Sequence, residues 1–317
     1  MRIAIPEKMK LPMAKSSPVP IQSAEPVGGL RLWVVLAFFA IYILWGTTYL
    51  AIRVVVGEMP PLFAAGVRFT VAGAALFGFM RMRSVEGPSR RQWRNLLAIS
   101  LLMFVVDYGA LFWAEKYVPS GIAAVLLATI PIFTLALEMF VLGKQPFRWT
   151  VAVATLLGFA GVGVLLLPGA HGGLAMLPCA AILVGSLSWS VGTVMSRGMD
   201  LPASRPVTSG ATMLLGGVIL LAVSGAVGEM RALTHVSFHT VLAELYLIVF
   251  GSLVAYTAFV WLLARMPATR VSSYAYVNPI VAVALGYFAG GESISVHALM
   301  GAALVVVSVF LILRAGK

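Results

Sequence analysis

Ten apolar stretches, each close to 20 residues long, follow one another along this chain with only short polar breaks, and nothing else in it constrains the fold as much. They lie near 32–52, 61–80, 95–114, 120–142, 150–168, 174–195, 206–224, 241–263, 269–289 and 295–313. A helix rising 1.5 Å per residue needs about 20 residues to cross the hydrocarbon of a bilayer, and a backbone without water must satisfy its own hydrogen bonds. Each stretch is therefore a predicted membrane-spanning helix. A soluble domain could not bury this apolar surface: 61% of the 317 residues are hydrophobic, 10% are charged, and the mean hydropathy is +0.99. The predicted fold class is an all-α polytopic membrane protein with ten transmembrane helices. Residues 1–30 carry Lys8, Lys10, Lys15 and several prolines but no apolar run long enough for a signal core. They are expected to form a flexible cytoplasmic tail ahead of an uncleaved first span.

The formal net charge of +11 is a matter of topology. A nucleic-acid binder keeps its Lys and Arg on a broad polar surface, which this chain lacks, so no nucleic-acid partner is expected. Counted over the connections, one side of the membrane receives 18 Lys and Arg, from the tail, Arg81, Arg83, Arg90, Arg91, Arg94, Lys144, Arg148, Arg197, Arg205, Arg265, Arg270, Arg314 and Lys317. The other side keeps 3, Arg53, Lys116 and Arg231. By the positive-inside rule both termini are predicted to be cytoplasmic. The single cysteine, Cys179, lies within an apolar stretch, which excludes an intrachain disulfide and a cysteine metal site.

The chain also repeats itself. A shift of 148 residues lays Tyr108 on Tyr256, Trp113 on Trp261, Pro119 on Pro267, Pro131 on Pro279 and Gly143 on Gly291. A shift of 144 lays Trp45 on Trp189, Arg53 on Arg197, Gly66 on Gly210 and Gly73 on Gly217. Residues 31–168 and 174–317 thus form two halves of five spans, and an odd number makes the second half enter the membrane inverted. Inverted repeats are the architecture of alternating-access carriers, with the binding site at the midplane between the halves.

Pro131 and Pro279 break matching spans, and the polar residues beside them, Thr129, Tyr276 and Asn278, are the first candidates for a substrate cavity. Trp45 and Trp189, deep in their spans, add aromatic faces, and Thr47, Thr48, Ser186 and Ser188 add hydroxyls, a lining suited to amphipathic organic molecules. Helix packing accounts for the same residues. Three ionisable residues are read inside spans, Arg68, Asp107 and Glu138, and each needs a partner or a function. Arg68 and Asp107 lie at similar depth on consecutive helices and are predicted to form an ion pair. The pair either ties two helices together or makes Arg68 an anchor for an anionic group and Asp107 a protonatable coupling site. Glu138 is read as reaching a base at the interface such as Arg148, and Glu115 with Lys116 as ordinary surface charges. His171, His235, His239 and His297 are peripheral, and no metal site is expected.

LWGTTYLAIR, PPLFAAGVRF, VPSGIAAVLLATIPIFT and SYAYVNPIVAVALGYFAGGE, in that order over roughly residues 35–314, resemble the drug/metabolite transporter superfamily in its ten-helix EamA-type branch. The resemblance implies two EamA repeats, a bacterial inner (plasma) membrane location and a central cavity. It also implies efflux of small metabolites such as amino acids, or of drugs, driven by a proton or sodium gradient, with no cofactor and no enzyme activity. Trp45, Arg68, Pro131, Asn278 and Pro279 sit in the matching motifs; Asp107 does not. Where the family's repeat ends in Gly-Glu, the first half here reads Gly143-Lys144 and only the second keeps Gly291-Glu292. The expected partners are a small-molecule solute and the bilayer, in a monomer or homodimer. The rival readings are a membrane assembly partner without transport and an intramembrane enzyme. An enzyme is disfavoured because no two acidic residues stand together within a span and no histidine lies at membrane depth.

Overall fold

The computed structural model describes residues 27–141, 149–165, 176–233, 235–292 and 295–315. Among these the ordered elements are all helical, and they make ten spans. Helix α1 runs through Val27–Phe39, a π-helical turn Ala40–Leu44 and Trp45–Glu58; α2 is Pro61–Met82. Helix α3 joins Arg90–Ser100, a π segment Leu101–Tyr108 and Gly109–Glu115, and α4 joins Ser120–Leu127, Ile130–Ala136 and Leu137–Val141. Then come α5 (Trp149–Leu165), α6 (Met176–Ser196) and α7 (Arg205–Ala226). Helix α8 joins Phe238–Tyr246, a π segment Leu247–Tyr256 and Thr257–Leu263; α9 joins Ala268–Val271 and Tyr274–Phe288, and α10 is Val296–Ala315. Of the expected tail, residues 1–26 lie outside the described residues, and helix has already begun at Val27.

Local chemistry sets the ends. Pro61 and Pro206 occupy first turns, where a missing N–H costs nothing, and Ser89 and Gln92 form a reciprocal capping box that starts α3. Ser237 starts α8 by accepting from the backbone N–H of Thr240. The π segments of α3 and α8 end on Tyr108 and Tyr256, two residues that the 148 shift superposes. The two prolines differ more than their alignment implies. Around Pro131 the helix stops at Leu127 and restarts at Ile130, so the proline sits in a new first turn. Pro279 is inside a continuous helix, and the break in α9 falls earlier, between Val271 and Tyr274.

The packing obeys the inverted repeat. The most extensive contact joins α2 to α7, and the next joins α5 to α10, each a helix against its own counterpart. Contacts of α3 with α6 are matched by those of α8 with α1, and contacts of α2 with α8 by those of α7 with α3. At the α2–α7 crossing a Cβ on Gly73 would fall 2.3 Å from the backbone nitrogen of Leu214, and one on Gly217 would fall 2.3 Å from that of Thr70. Residue 214 is 70 shifted by 144, so one contact is the other seen from the opposite face. Gly66 against Leu221 and Gly210 against Phe77 repeat the relation. A pseudo-two-fold axis therefore passes between α2 and α7, and small residues let the two backbones touch.

The ends of the bundle differ. Where α1 meets α2 and α3 meets α4, three glutamates, one from the first half and two from the second, each cap a helix of the opposite half. Ser237 N donates to Glu58 at 2.6 Å, Phe63 N donates to Glu229 at 3.1 Å, and Ser120 N and Gly121 N donate to Glu292 at 2.8 and 3.3 Å. Carboxylates suit the partial positive charge of a helix N-terminus. The opposite, arginine-rich end is tied by Asp200, which accepts from Gln92 and Asn95, and by Glu138 with Arg197 at 3.8 Å. Arg148, the base predicted for Glu138, lies outside the described residues.

Candidate functional site

Between the halves stands a cluster of aromatic rings. Trp45 and Trp189, counterparts in the repeat, meet edge to face with centroids 5.8 Å apart. Phe259 lies 5.3 Å from each of them, and Tyr274 lies 4.9 Å from Trp45. Tyr108 and Tyr256 close the group at 5.9 and 6.4 Å from Trp189. The cluster encloses a cavity of about 30 Å³ lined by Trp45, Thr48, Tyr49, Asp107, Tyr108, Leu111, Leu127, Ile130, Trp189 and Tyr274. That is room for roughly one water molecule.

A second, larger space of about 350 Å³ opens at the arginine-rich end. Arg197, Asp200 and Arg205 surround its mouth, and Thr212, Tyr256 and Phe259 form its floor. Since Tyr256 and Phe259 also pack on Trp189, this pair of rings is the partition between vestibule and inner cavity. A hydroxyl contact of 3.1 Å between Tyr256 and Thr212 holds one side of it.

Of the residues singled out in the sequence, Trp45, Thr48, Trp189 and Asp107 line the inner cavity. The indole N–H of Trp45 donates to Gly251 O at 3.0 Å, inside the π segment of α8, and Thr48 donates back to Trp45 O. Thr129, Pro131, Asn278 and Pro279 are buried but do not line it. Thr129 spends its hydroxyl on Leu126 O at 2.7 Å. The Asn278 amide, oriented by the acceptors around it, donates to the carbonyls of Tyr42 at 2.8 Å and Ile41 at 3.2 Å. Those carbonyls belong to the π turn of α1, where a wider turn leaves acceptors exposed, so Asn278 ties α9 to α1. The side chain of Tyr276 is outside what the structure describes. Tyr49, Tyr108 and Tyr274, which sequence reasoning passed over, are as central as the tryptophans.

Arg68 and Asp107 do not pair. Among the described residues no ion pair within 4.0 Å joins them. Arg68 Nε donates to Ser252 Oγ at 2.9 Å, and its guanidinium lies 4.7 Å from the ring of Phe69, 5.1 Å from Tyr108 and 5.9 Å from Phe112. Gly251 makes room, since a Cβ there would fall 2.6 Å from Arg68 Nη2. Asp107 is turned instead to α6, with Oδ1 2.9 Å from where a Cβ on Gly185 would sit. Equal depth in the membrane fixes the height of a side chain and says nothing of which neighbour it faces. The ionisable residue missed within a span is Glu244, buried on α8. Its position three residues inside the eighth apolar stretch was the available signal. Glu115, read as a surface charge, is fully buried, and its backbone carbonyl accepts from Arg53.

A model of the EamA-like transporter family matches residues 32–167 and again 176–314. The chain belongs to the EamA-like transporter family. It is 40% identical over 281 residues to the uncharacterized inner membrane transporter YedA of Escherichia coli K12, a match covering 87% of this chain and 89% of that protein. It is 26% identical over 285 residues to the probable amino-acid metabolite efflux pump of Salmonella typhimurium LT2, covering 86% and 91%. A solved crystal structure at 23% identity superposes with a TM-score of 0.65 over 90% of this chain and 99% of that one, so the EamA-like chain shares its fold. The EamA-like protein is thus an integral membrane protein of a transporter family.

Proposed function

We propose that this protein is a secondary active exporter of small amphipathic or amino-acid-like solutes across the bacterial inner membrane, with both termini cytoplasmic. The observation that carries the reading is the two-chamber arrangement: a vestibule at the arginine-rich end, an aromatic partition, an inner cavity, and an opposite end fastened by Glu58, Glu229 and Glu292. With the arginine-rich end cytoplasmic, the vestibule loads from the cytoplasm. Rocking of the two halves about the α2–α7 axis then exposes the cavity to the other side. Trp45, Thr48 and Trp189 line the route, and Asp107 is the coupling site for a proton or sodium ion. Arg68, Thr129, Pro131, Asn278 and Pro279 hold the surrounding helices in place.

Proteoliposomes containing only this protein are expected to move small aromatic amines and amino acids down an imposed proton or sodium gradient. No flux across a broad solute panel would sink the reading and favour an assembly partner. Phe259→Ala removes a ring packed on Trp45, Trp189 and Tyr256 and joins the chambers. Its stability cost is about 3–5 kcal/mol. Flux through that variant is expected to continue after the gradient is collapsed, measured as solute leak from loaded vesicles; leak equal to the parent's would mean the partition lies elsewhere.

A further inference from the structure

The cavity has a charge character that its size conceals. Its lining holds five aromatic side chains, Trp45 and Tyr49 of α1, Tyr108 of α3, Trp189 of α6 and Tyr274 of α9, and one carboxyl, Asp107. Asp107 is 3% exposed, and its Oδ1 has no hydrogen-bond partner among the described residues. The indole Nε1 of Trp189 beside it is in the same condition. Buried polar atoms in native structures are usually paired, and what sets Asp107 apart from the other unpaired buried groups is that its carboxyl stands on the wall of a ring-lined cavity. No Lys or Arg lines the cavity. Arg68 lies behind Tyr108, its Nε on Ser252 and its guanidinium over the rings of Phe69, Tyr108 and Phe112, with both Nη atoms lacking a hydrogen-bond partner among the described residues.

We propose that this cavity is a binding site for organic cations, specifically a protonated amine carried on a flat apolar body, with Asp107 reading the positive charge. The assignment rests on the carrier reading above and narrows its substrate class. The negative faces of aromatic rings attract a cation, and the attraction strengthens where water is excluded. A carboxyl oxygen without a donor supplies the acceptor for the ammonium N–H, and the incoming cation is the partner that lets Asp107 carry its charge in this dry site. An anion entering the same space meets ring faces and a carboxylate, both of the wrong sign, and a zwitterion finds no positive group for its acidic end. Trp45 stands edge to face with Trp189 and Tyr274 at 82° and 81°, in contact, so a flat body needs these rings to part. With about 30 Å³ enclosed, the cargo enters only when Tyr256 and Phe259 move and the cavity joins the vestibule.

Three probes with the same ring separate charge from shape: 2-phenylethylamine, 2-phenylethanol and 3-phenylpropionate, titrated calorimetrically into the purified full chain. The amine is expected to bind roughly tenfold tighter than the alcohol, and the carboxylate weakest. Asp107→Asn is expected to bring the amine down to the level of the alcohol, while Asp107→Glu keeps part of the preference. Should Asp107→Asn fail to fold, Gly185→Ala serves, because its new methyl crowds Oδ1 from the α6 side and is expected to shrink the same preference. Equal or tighter binding of the alcohol or the carboxylate, or a preference that survives both substitutions, overturns the proposal. Flux distinguishes this failure from failure of the carrier reading. Proteoliposomes that move phenylpropionate and not phenylethylamine keep the carrier and remove the cation site; selective amine binding with no flux of any solute keeps the site and removes the carrier.

Discussion

Gly217→Ala and Gly73→Ala are each expected to leave little folded protein, although each adds one methyl group. At both positions the new Cβ falls 2.3 Å from a backbone nitrogen of the partner helix, and backbone cannot rotate away as a side chain would. Separating α2 from α7 enough to admit it disturbs the most extensive helix contact in the bundle and the axis that relates the halves. Overpacking typically costs about 1–3 kcal/mol where side chains can adjust, and the cost here lies at or above that range. Gly78 on α2 and Gly225 on α7 are the controls: nothing lies within 4 Å of a Cβ at either, so alanine there is expected to be neutral or to stabilise by up to ~1 kcal/mol. Size-exclusion profiles and thermal midpoints in detergent separate the two pairs. Similar midpoints for Gly73→Ala and Gly78→Ala would refute the close crossing.

Removing the acid caps at the fastened end is expected to open it. Glu292 reaches its place because Gly291 takes a left-handed conformation, φ +64°, which closes α9 with Glu292 N donating to Gly286 O at 2.9 Å. The turn swings the carboxylate onto the first N–H groups of α4. Losing such a cap costs about 0.5–2 kcal/mol. Glu229→Ala with Glu292→Ala, at about 1 kcal/mol each, would therefore shift the ratio of closed to open at this end by roughly 30-fold. A cysteine introduced at Ser120 is expected to react faster with an impermeant maleimide in that double variant than in the parent. The native Cys179 is buried and adds little background. An unchanged labelling rate would show that the caps do not hold the end shut.

These caps also show what an inverted repeat leaves undecided. Shifted by 144, Glu58 corresponds to Pro202; Glu229 corresponds to Val85 at one shift and Arg81 at the other; Glu292 corresponds to Lys144. None of these offers a side-chain acceptor to a backbone N–H. The halves share a fold and differ in the chemistry at their ends: one end is held by carboxylates on helix N-termini, the other by Asp200 and the Glu138–Arg197 pair beside the vestibule.

The sequence alone determined the succession of helices and their repeat, because hydrocarbon thickness sets helix length and the repeat is written in matched residues, both local and one-dimensional properties. It also marked Trp45, Thr48, Trp189 and Asp107, which line the small cavity, since a polar or aromatic residue deep in an apolar run stands out wherever its helix turns. Tertiary structure decided which of the marked residues meet. The π segments of α1, α3 and α8 rotate everything after them relative to a regular helix, so faces counted at 3.6 residues per turn go astray there. The π segment of α3 carries Asp107 and Tyr108 off the faces of a regular helix, and the π turn of α1 offers the carbonyls that Asn278 meets; Arg68 and Tyr274 stand on stretches without one, and packing against neighbouring helices decided where they face. Depth was written in the chain; azimuth was settled by packing, glycine by glycine.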